Sequence, residues 1–247
     1  MLSERAIQMI VFETGALAVW VGLGVLLMRG RVRWAWLGGA LALALIGKVL
    51  VFLGADGAFG DWIGGRYNWE GKIVTAGFWL VATLAIFWGR LGKVGLTLSQ
   101  NGPAPKLGIG LAVATAIATG LFMALYFPGT KTEPAVDMAY QAAMPSIEEE
   151  LWFRGLLLGM LIMGFTRKGM ERAGTFAVLV AALITALHFW SVHSIFTDGS
   201  WGFEFRPFWN VPTLFYGLLW VGVRLGTGSL LLPILLHTWA NTADYFL

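Results

Sequence analysis

Glu148, Glu149 and Glu150 stand in a row in a largely apolar stretch, with Arg154 four residues beyond the last of them. On a helix, residues four apart lie about 40° from each other, so Glu150 and Arg154 share a face and can neutralise one another. Glu149, about 100° away, is left free to act as a base. The chain has three histidines, His188, His193 and His237, and no cysteine. A thiol nucleophile, a disulfide framework, an iron–sulfur cluster and a thiolate zinc site are therefore excluded. His237 and Asn241 are four apart and offer an imidazole and an amide toward one point. His188 and His193 are five apart and diverge by about 140°, so at most one of them faces a common site. His188 sits deeper in its apolar run and is the expected partner of Glu149, while His193, close to Asp198, reads as a rim residue and as the alternative. Together these groups supply what peptide hydrolysis needs: a base that activates water, and donors aimed at the developing oxyanion.

Such groups must be held by elements that suit a bilayer. Apolar side chains make up 57% of the 247 residues, with another 33 glycines, and only 13% are charged, far below the soluble average of about 25%. A hydrocarbon core about 30 Å thick takes roughly 20 apolar residues per helix. Apolar runs mark spans at about 6–28, 34–54, 73–89, 108–127, 143–164, 173–195, 208–225 and 229–246. The expected fold is an all-α polytopic membrane protein of about eight transmembrane helices around a membrane-embedded catalytic cavity. It forms a single membrane domain over residues 1–247, with residues 143–247 supplying the catalytic core helices. The first run is too long for a signal peptide and reads as a retained helix.

Basic residues on alternate loops are unequal. Arg29, Arg31, Arg33, Arg90, Lys93, Lys106, Arg167, Lys168, Arg172 and Arg224 fall on one side, against Arg5, Arg66, Lys72, Lys131 and Arg206 on the other. The positive-inside rule makes the first side cytoplasmic and puts both termini outside. In that topology Glu149 and His188 lie about two turns from the outer ends of their helices and His237 near mid-helix, in one layer. Glu13 and Lys48 read as a buried ion pair. The net charge of +3 orients the chain in the membrane rather than recruiting nucleic acid. The expected partners are membrane lipid and a membrane-associated peptide or protein.

Glu149, His188 and His237 could also hold zinc together with a water. Against this, Asn241 suits donation better than ligation, Arg154 competes for the carboxylate charge, and no second carboxylate is fixed near either histidine as an outer partner. No cofactor is therefore expected, with zinc as the alternative. The chain has no His-Glu-x-x-His stretch and no Gly-x-Ser-x-Gly elbow. Ser229, in a loop-like Gly226-Thr227-Gly228-Ser229 run, reads as a helix cap. Two other classes stay open: a transporter with a Glu/His relay, which should show repeat symmetry that is not evident here, and a non-proteolytic scaffold or immunity protein.

The run Glu149-Glu150-Leu151-Trp152-Phe153-Arg154-Gly155 resembles the Glu-Glu-x-x-x-Arg signature of the CAAX protease and bacteriocin-processing intramembrane proteases. Gly228-Ser229-Leu230 through Pro233 to His237-Thr238-Trp239-Ala240-Asn241 resembles that family's last motif, His-x-x-x-Asn. For the middle motif, Phe-x-x-x-His, Phe189 and His193 fit the spacing literally, whereas His188 has Ile184 four residues before it. Tyr67-Asn68-Trp69-Glu70-Gly71-Lys72 is reminiscent of a segment in some bacterial members, and the expected location is a bacterial or archaeal inner or plasma membrane. The resemblance implies an eight-helix endopeptidase of the Ras-converting type, with glutamate and histidine activating water and with His237 and Asn241 stabilising the oxyanion. Members have also been called metalloproteases.

Overall fold

The computed structural model describes residues 1–127, 134–166 and 173–247. Lys131, Arg167, Lys168 and Arg172, used in the charge reading above, lie outside the described residues. Four long helices open the chain: α1 (Glu4–Leu27), α2 (Trp34–Ala55), α3 (Trp69–Ile86) and α4 (Pro105–Tyr126). Next, α5 (Ala135–Glu150) passes through a π-helical segment (Leu151–Leu157) into α6 (Leu158–Phe165), all one rod. After α7 (Thr175–Ser194), the strands β1 (Ile195–Thr197) and β2 (Phe203–Phe205) pair as an antiparallel hairpin. The chain ends in α8 (Val211–Thr227), α9 (Leu231–Thr242) and a final 3-10 turn (Ala243–Tyr245). Among the described residues five helices, α1 to α4 and α7, are long and apolar enough to cross a membrane, and the protein is an integral membrane protein.

Among the described residues eight rods match the eight expected spans, with three differences. The fifth begins at Ala135 rather than near 143. The eighth is a helix of only 12 residues, about 18 Å long, too short to cross the core alone. The small hairpin, with strands of three residues each, was not expected.

The alternation of ends is borne out by contacts between loops. At one end the Ser3 N–H donates to Asp56 Oδ2 (2.7 Å), and Arg66 Nε lies 3.3 Å from Asp137 Oδ2. At the other end the Arg33 N–H donates to the Gly164 carbonyl (2.7 Å) and the Gly102 N–H to that of Thr227 (2.8 Å).

The rod from Leu151 to Phe165 is buried at every residue. Its sequence is apolar on all sides apart from Arg154, as a helix surrounded by others must be. In a bilayer, helices gain nothing by hiding apolar surface from lipid, so close packing and buried polar contacts hold them together. The α2–α3 seam illustrates this. A Cβ on Gly54 would lie 2.2 Å from the Gly71 Cα, so the two backbones touch at this pair of glycines. Asn68 caps α3 by accepting from the Gly71 N–H (3.0 Å) and donates to the Val51 carbonyl (2.8 Å), which fixes the first turn of α3 against α2.

Candidate active site

Pro145 interrupts α5 just before the three glutamates, and the π-helical segment follows directly after them. Proline has no N–H to give the carbonyl four residues back, here that of Gln141. Asn241 on α9 answers this, its amide Nδ2 lying 3.5 Å from the Gln141 carbonyl, and Thr238 Oγ1 donates to the next carbonyl, Ala142 (2.7 Å). The last helix is thus keyed to the break in α5, and His237, one turn before Asn241, is carried to the glutamates. The π segment widens the turn that bears Arg154, a distortion common at functional sites.

Each glutamate has a different partner. Glu148 accepts from Trp79 Nε1 (2.7 Å) and from Lys72 Nζ (2.6 Å). Glu149 accepts from the same Lys72 ammonium through Oε1 (2.9 Å). Glu150 accepts from Arg154 NH1 (2.8 Å), both side chains having no exposure, and this is the i,i+4 pair expected from spacing. Its Oε1 also lies 2.9 Å from His237 Nδ1. The expectation that no carboxylate backs either histidine is therefore corrected: Glu150, 87 residues away in sequence, is such a partner for His237. The rest of the Arg154 guanidinium is caged by rings, its carbon 4.2 Å from the centroid of Phe189, 5.1 Å from Trp220 and 5.7 Å from Phe153. Cation–π contacts of this kind contribute about 2 kcal/mol when desolvated.

The free oxygen of Glu149, Oε2, is buried without a hydrogen-bond partner. It faces His193 Nε2 at 3.9 Å and His237 Nε2 at 4.0 Å. His193 Nδ1 lies 2.8 Å from the Phe189 carbonyl. A carbonyl can only accept, so Nδ1 carries a proton, and the ring turns its Nε2 toward Glu149. The Trp220 ring lies on His237, with centroids 4.6 Å apart and planes tilted by 32°.

His188 is not brought to this cluster. It is buried with both ring nitrogens unpartnered and packs on Phe153 with centroids 5.4 Å apart. The cluster lies at the end of α7, where His193 is the second-last residue, and His188 is about 7.5 Å further along the axis and on another face. Asn241 is placed at the α5–α9 seam rather than against Glu149. Glu13 and Lys48 form the expected ion pair, and Lys48 joins Lys72, Glu148, Glu149 and His193 in lining a cavity of about 120 Å³. Side-chain exposure is 34% for His193 and 16% for Glu149 against 5% for His237, so the cluster is reached from the His193 side. Lys72 and Glu148 are the site residues that sequence reasoning missed. Lys72 had been counted as a loop charge, and its place in the Asn68-Trp69-Glu70-Gly71-Lys72 run, one turn into a helix, was the available signal.

As placed, the donors stand wider apart than zinc ligands do. Ligand atoms about 2.0–2.1 Å from a tetrahedral ion lie about 3.4 Å from one another, shorter than both nitrogen–oxygen separations here. The Lys72 ammonium already occupies the other oxygen of Glu149, and no group of three or more histidine and acidic side chains among the described residues is arranged to hold a metal ion.

Residues 131–243 match the family model described as type II CAAX prenyl endopeptidase Rce1-like. Neither the curated proteins nor the solved structures compared with the chain gave a match. The match spans the glutamates, both histidines at the cluster, Arg154 and Asn241, and leaves α1 to α4 outside it. Over residues 131–243 the chain is thus similar to the Rce1-like family of type II CAAX prenyl endopeptidases, which are proteases.

Proposed function

We propose that this intramembrane endopeptidase cleaves a membrane-associated protein or peptide by direct attack of a water that Glu149 and His193 activate, with residues 143–247 as its catalytic core. The observation that carries the reading is the buried Glu149 Oε2 facing Nε2 of both His193 and His237 at 3.9 and 4.0 Å. A water hydrogen-bonded at about 2.8 Å to two atoms about 4 Å apart subtends an angle of about 90° between them, which the oxygen of a water accommodates. Such a water lies between base and imidazole at the mouth of the cavity.

In the reaction Glu149 takes a proton from the water, and the hydroxide adds to the scissile carbonyl carbon. The carbonyl oxygen, now an oxyanion, is received by His237 as donor through Nε2, with Glu150 behind Nδ1 compensating the charge of a doubly protonated ring. The Asn241 Nδ2 hydrogen not directed at Gln141 is the second donor. Collapse of the adduct breaks the carbon–nitrogen bond, and the proton held by Glu149 passes to the leaving amine. A positioned base contributes roughly 10²–10⁴ in rate and an oxyanion donor roughly 10²–10³. No step calls on a metal, and the positive-inside count supports termini outside and a catalytic cavity that opens on the outer side.

The test compares membranes carrying the wild-type chain with membranes carrying Glu149→Gln at equal expression, by proteomics of new termini. A terminus present only with the wild type supports the reading. Identical sets of termini, or equal cleavage by Glu149→Gln, would count against it and favour a scaffold or transporter.

A further inference from the structure

At the end of the bundle where α3, α6 and α8 finish and α4 and α7 begin, a second cavity of about 820 Å³ lies open to the surface. It shares no lining residue with the catalytic cavity. Its polar wall carries Arg90, Lys93 and Arg224, and its apolar wall includes Leu91, Ile162 and Leu225. None of the described residues lining it is acidic, and in sequence no acid occurs between Glu70 and Glu133.

Arg224 is the unusual member. It is 5% exposed, in the last turn of α8, and its guanidinium is fixed by one hydrogen bond, NH2 to the Lys93 carbonyl at 2.8 Å. Its Nε has no partner, and no carboxylate of the described residues pairs with it. A buried cation without a counter-ion in a membrane protein is costly, and the default expectation is a functional partner.

The chain builds this place deliberately. Gly95 has φ +84°, a left-handed conformation that suits glycine, and a Cβ there would come within 2.3 Å of Arg224 Nε. The loop that follows is locked onto the end of α8 and the start of α9. The Leu230 N–H donates to the Gly95 carbonyl (3.0 Å), the Ala104 N–H to that of Gly226 (3.1 Å) and Ser229 Oγ to that of Thr97 (2.5 Å). The wall beneath the cations is therefore a rigid framework, with no side chain of opposite sign supplied by the described residues.

We infer that this cavity is a binding site for the phosphate-bearing headgroup of an anionic membrane lipid, with Arg224 as its buried anchor and Arg90 and Lys93 as its outer contacts. Basic pockets between helices at a membrane surface recognise such headgroups, and the apolar wall suits the start of an acyl chain. The site lies one turn along α8 from Trp220, the residue that packs on His237 and Arg154. A lipid held there steadies the helix that carries that ring.

The test is equilibrium binding to the full chain in neutral detergent, with phosphatidylglycerol, phosphatidylcholine and inorganic phosphate as separate probes. Phosphatidylglycerol should saturate one site and bind at least about tenfold more tightly than either of the others, tenfold being about 1.4 kcal/mol. Arg224→Gln should abolish that preference. Should this variant fail to fold, the exposed pair Arg90→Gln with Lys93→Gln decides instead, and should weaken phosphatidylglycerol about tenfold. The pair Arg29→Gln with Arg31→Gln, at the same end but outside the cavity, should leave binding unchanged. Equal binding of phosphatidylcholine, equal binding of inorganic phosphate, or equal loss in the Arg29/Arg31 pair would overturn the inference. Those results would indicate respectively an apolar groove, a soluble-anion site and diffuse surface attraction.

Discussion

Lys72→Met removes one ammonium and leaves two carboxylates to face each other. In the structure Lys72 Nζ is 2.6 Å from Glu148 and 2.9 Å from Glu149, and the neighbouring cation, Arg154, is already committed to Glu150. Neutral hydrogen bonds between membrane helices average about 0.6 kcal/mol, but this contact is between full charges. Removing one partner of a buried pair costs about 3–5 kcal/mol because the other is left uncompensated. The larger figure should govern here, since two carboxylates are exposed to each other by a single change. The variant should unfold at markedly lower temperature in detergent and lose at least about 10² in kcat, because Glu149 loses the contact that aims Oε2 at the histidines. Adding Glu148→Gln should recover most of the stability, as one of the two stranded charges is then gone, while recovering kcat much less. The assay is a thermal melt of the four proteins of this cycle beside turnover of a cleavable membrane-anchored reporter. A Lys72→Met protein with wild-type melting and turnover would refute the electrostatic reasoning, and so would a double variant no more stable than the single one.

His193→Gln should reduce turnover by about 10²-fold or more, whereas His188→Phe should keep most of it; the reverse order in the reporter assay would restore His188 as the base's partner. Glu150→Gln should act mainly on folding, lowering yield and melting temperature, because it holds both Arg154 and His237; a stable but inactive protein would instead give Glu150 a direct chemical role. Cysteines introduced by Asp198→Cys and Arg31→Cys in this cysteine-free chain should label from opposite sides of intact cells, Asp198→Cys from outside, and labelling of Arg31→Cys from outside would invert the topology. The purified active protein should hold no stoichiometric zinc and keep its activity under chelation; a zinc lost with activity and restored with it would contradict the reading of the donor set.

Local spacing carried much of the site. Glu149, Glu150 and Arg154 lie within six consecutive residues, so a helical wheel alone separates the carboxylate paired with Arg154 from its neighbour. His237 and Asn241 are likewise one turn apart, and their common face was legible. What failed was depth. His193 is the second-last residue of α7, so the cluster lies at the very end of that helix, and a layer placed about two turns in favoured His188 over His193. Contacts between distant segments were also beyond reach: Lys72 meets the glutamates across 76 and 77 residues, and Glu150 meets His237 across 87. No periodicity encodes such pairs. The role of Asn241 at the carbonyl freed by Pro145 belongs to the same class, since it needs both helices in place. The hairpin between α7 and α8 escaped because its strands are only three residues long, too short for alternation to register.

The central claim is that water, activated between Glu149 and His193, attacks the peptide bond directly. Single-turnover cleavage in water carrying isotopically heavy oxygen, with excess enzyme and a reporter peptide taken from the proteomic comparison, tests it most directly. The account predicts heavy oxygen in the newly formed carboxylate of the product and none in Glu149 or Glu150 of the recovered protein. Heavy oxygen in the Glu149 side chain after one turnover, with the product carboxylate unlabelled, would show attack by the carboxylate itself and contradict the account.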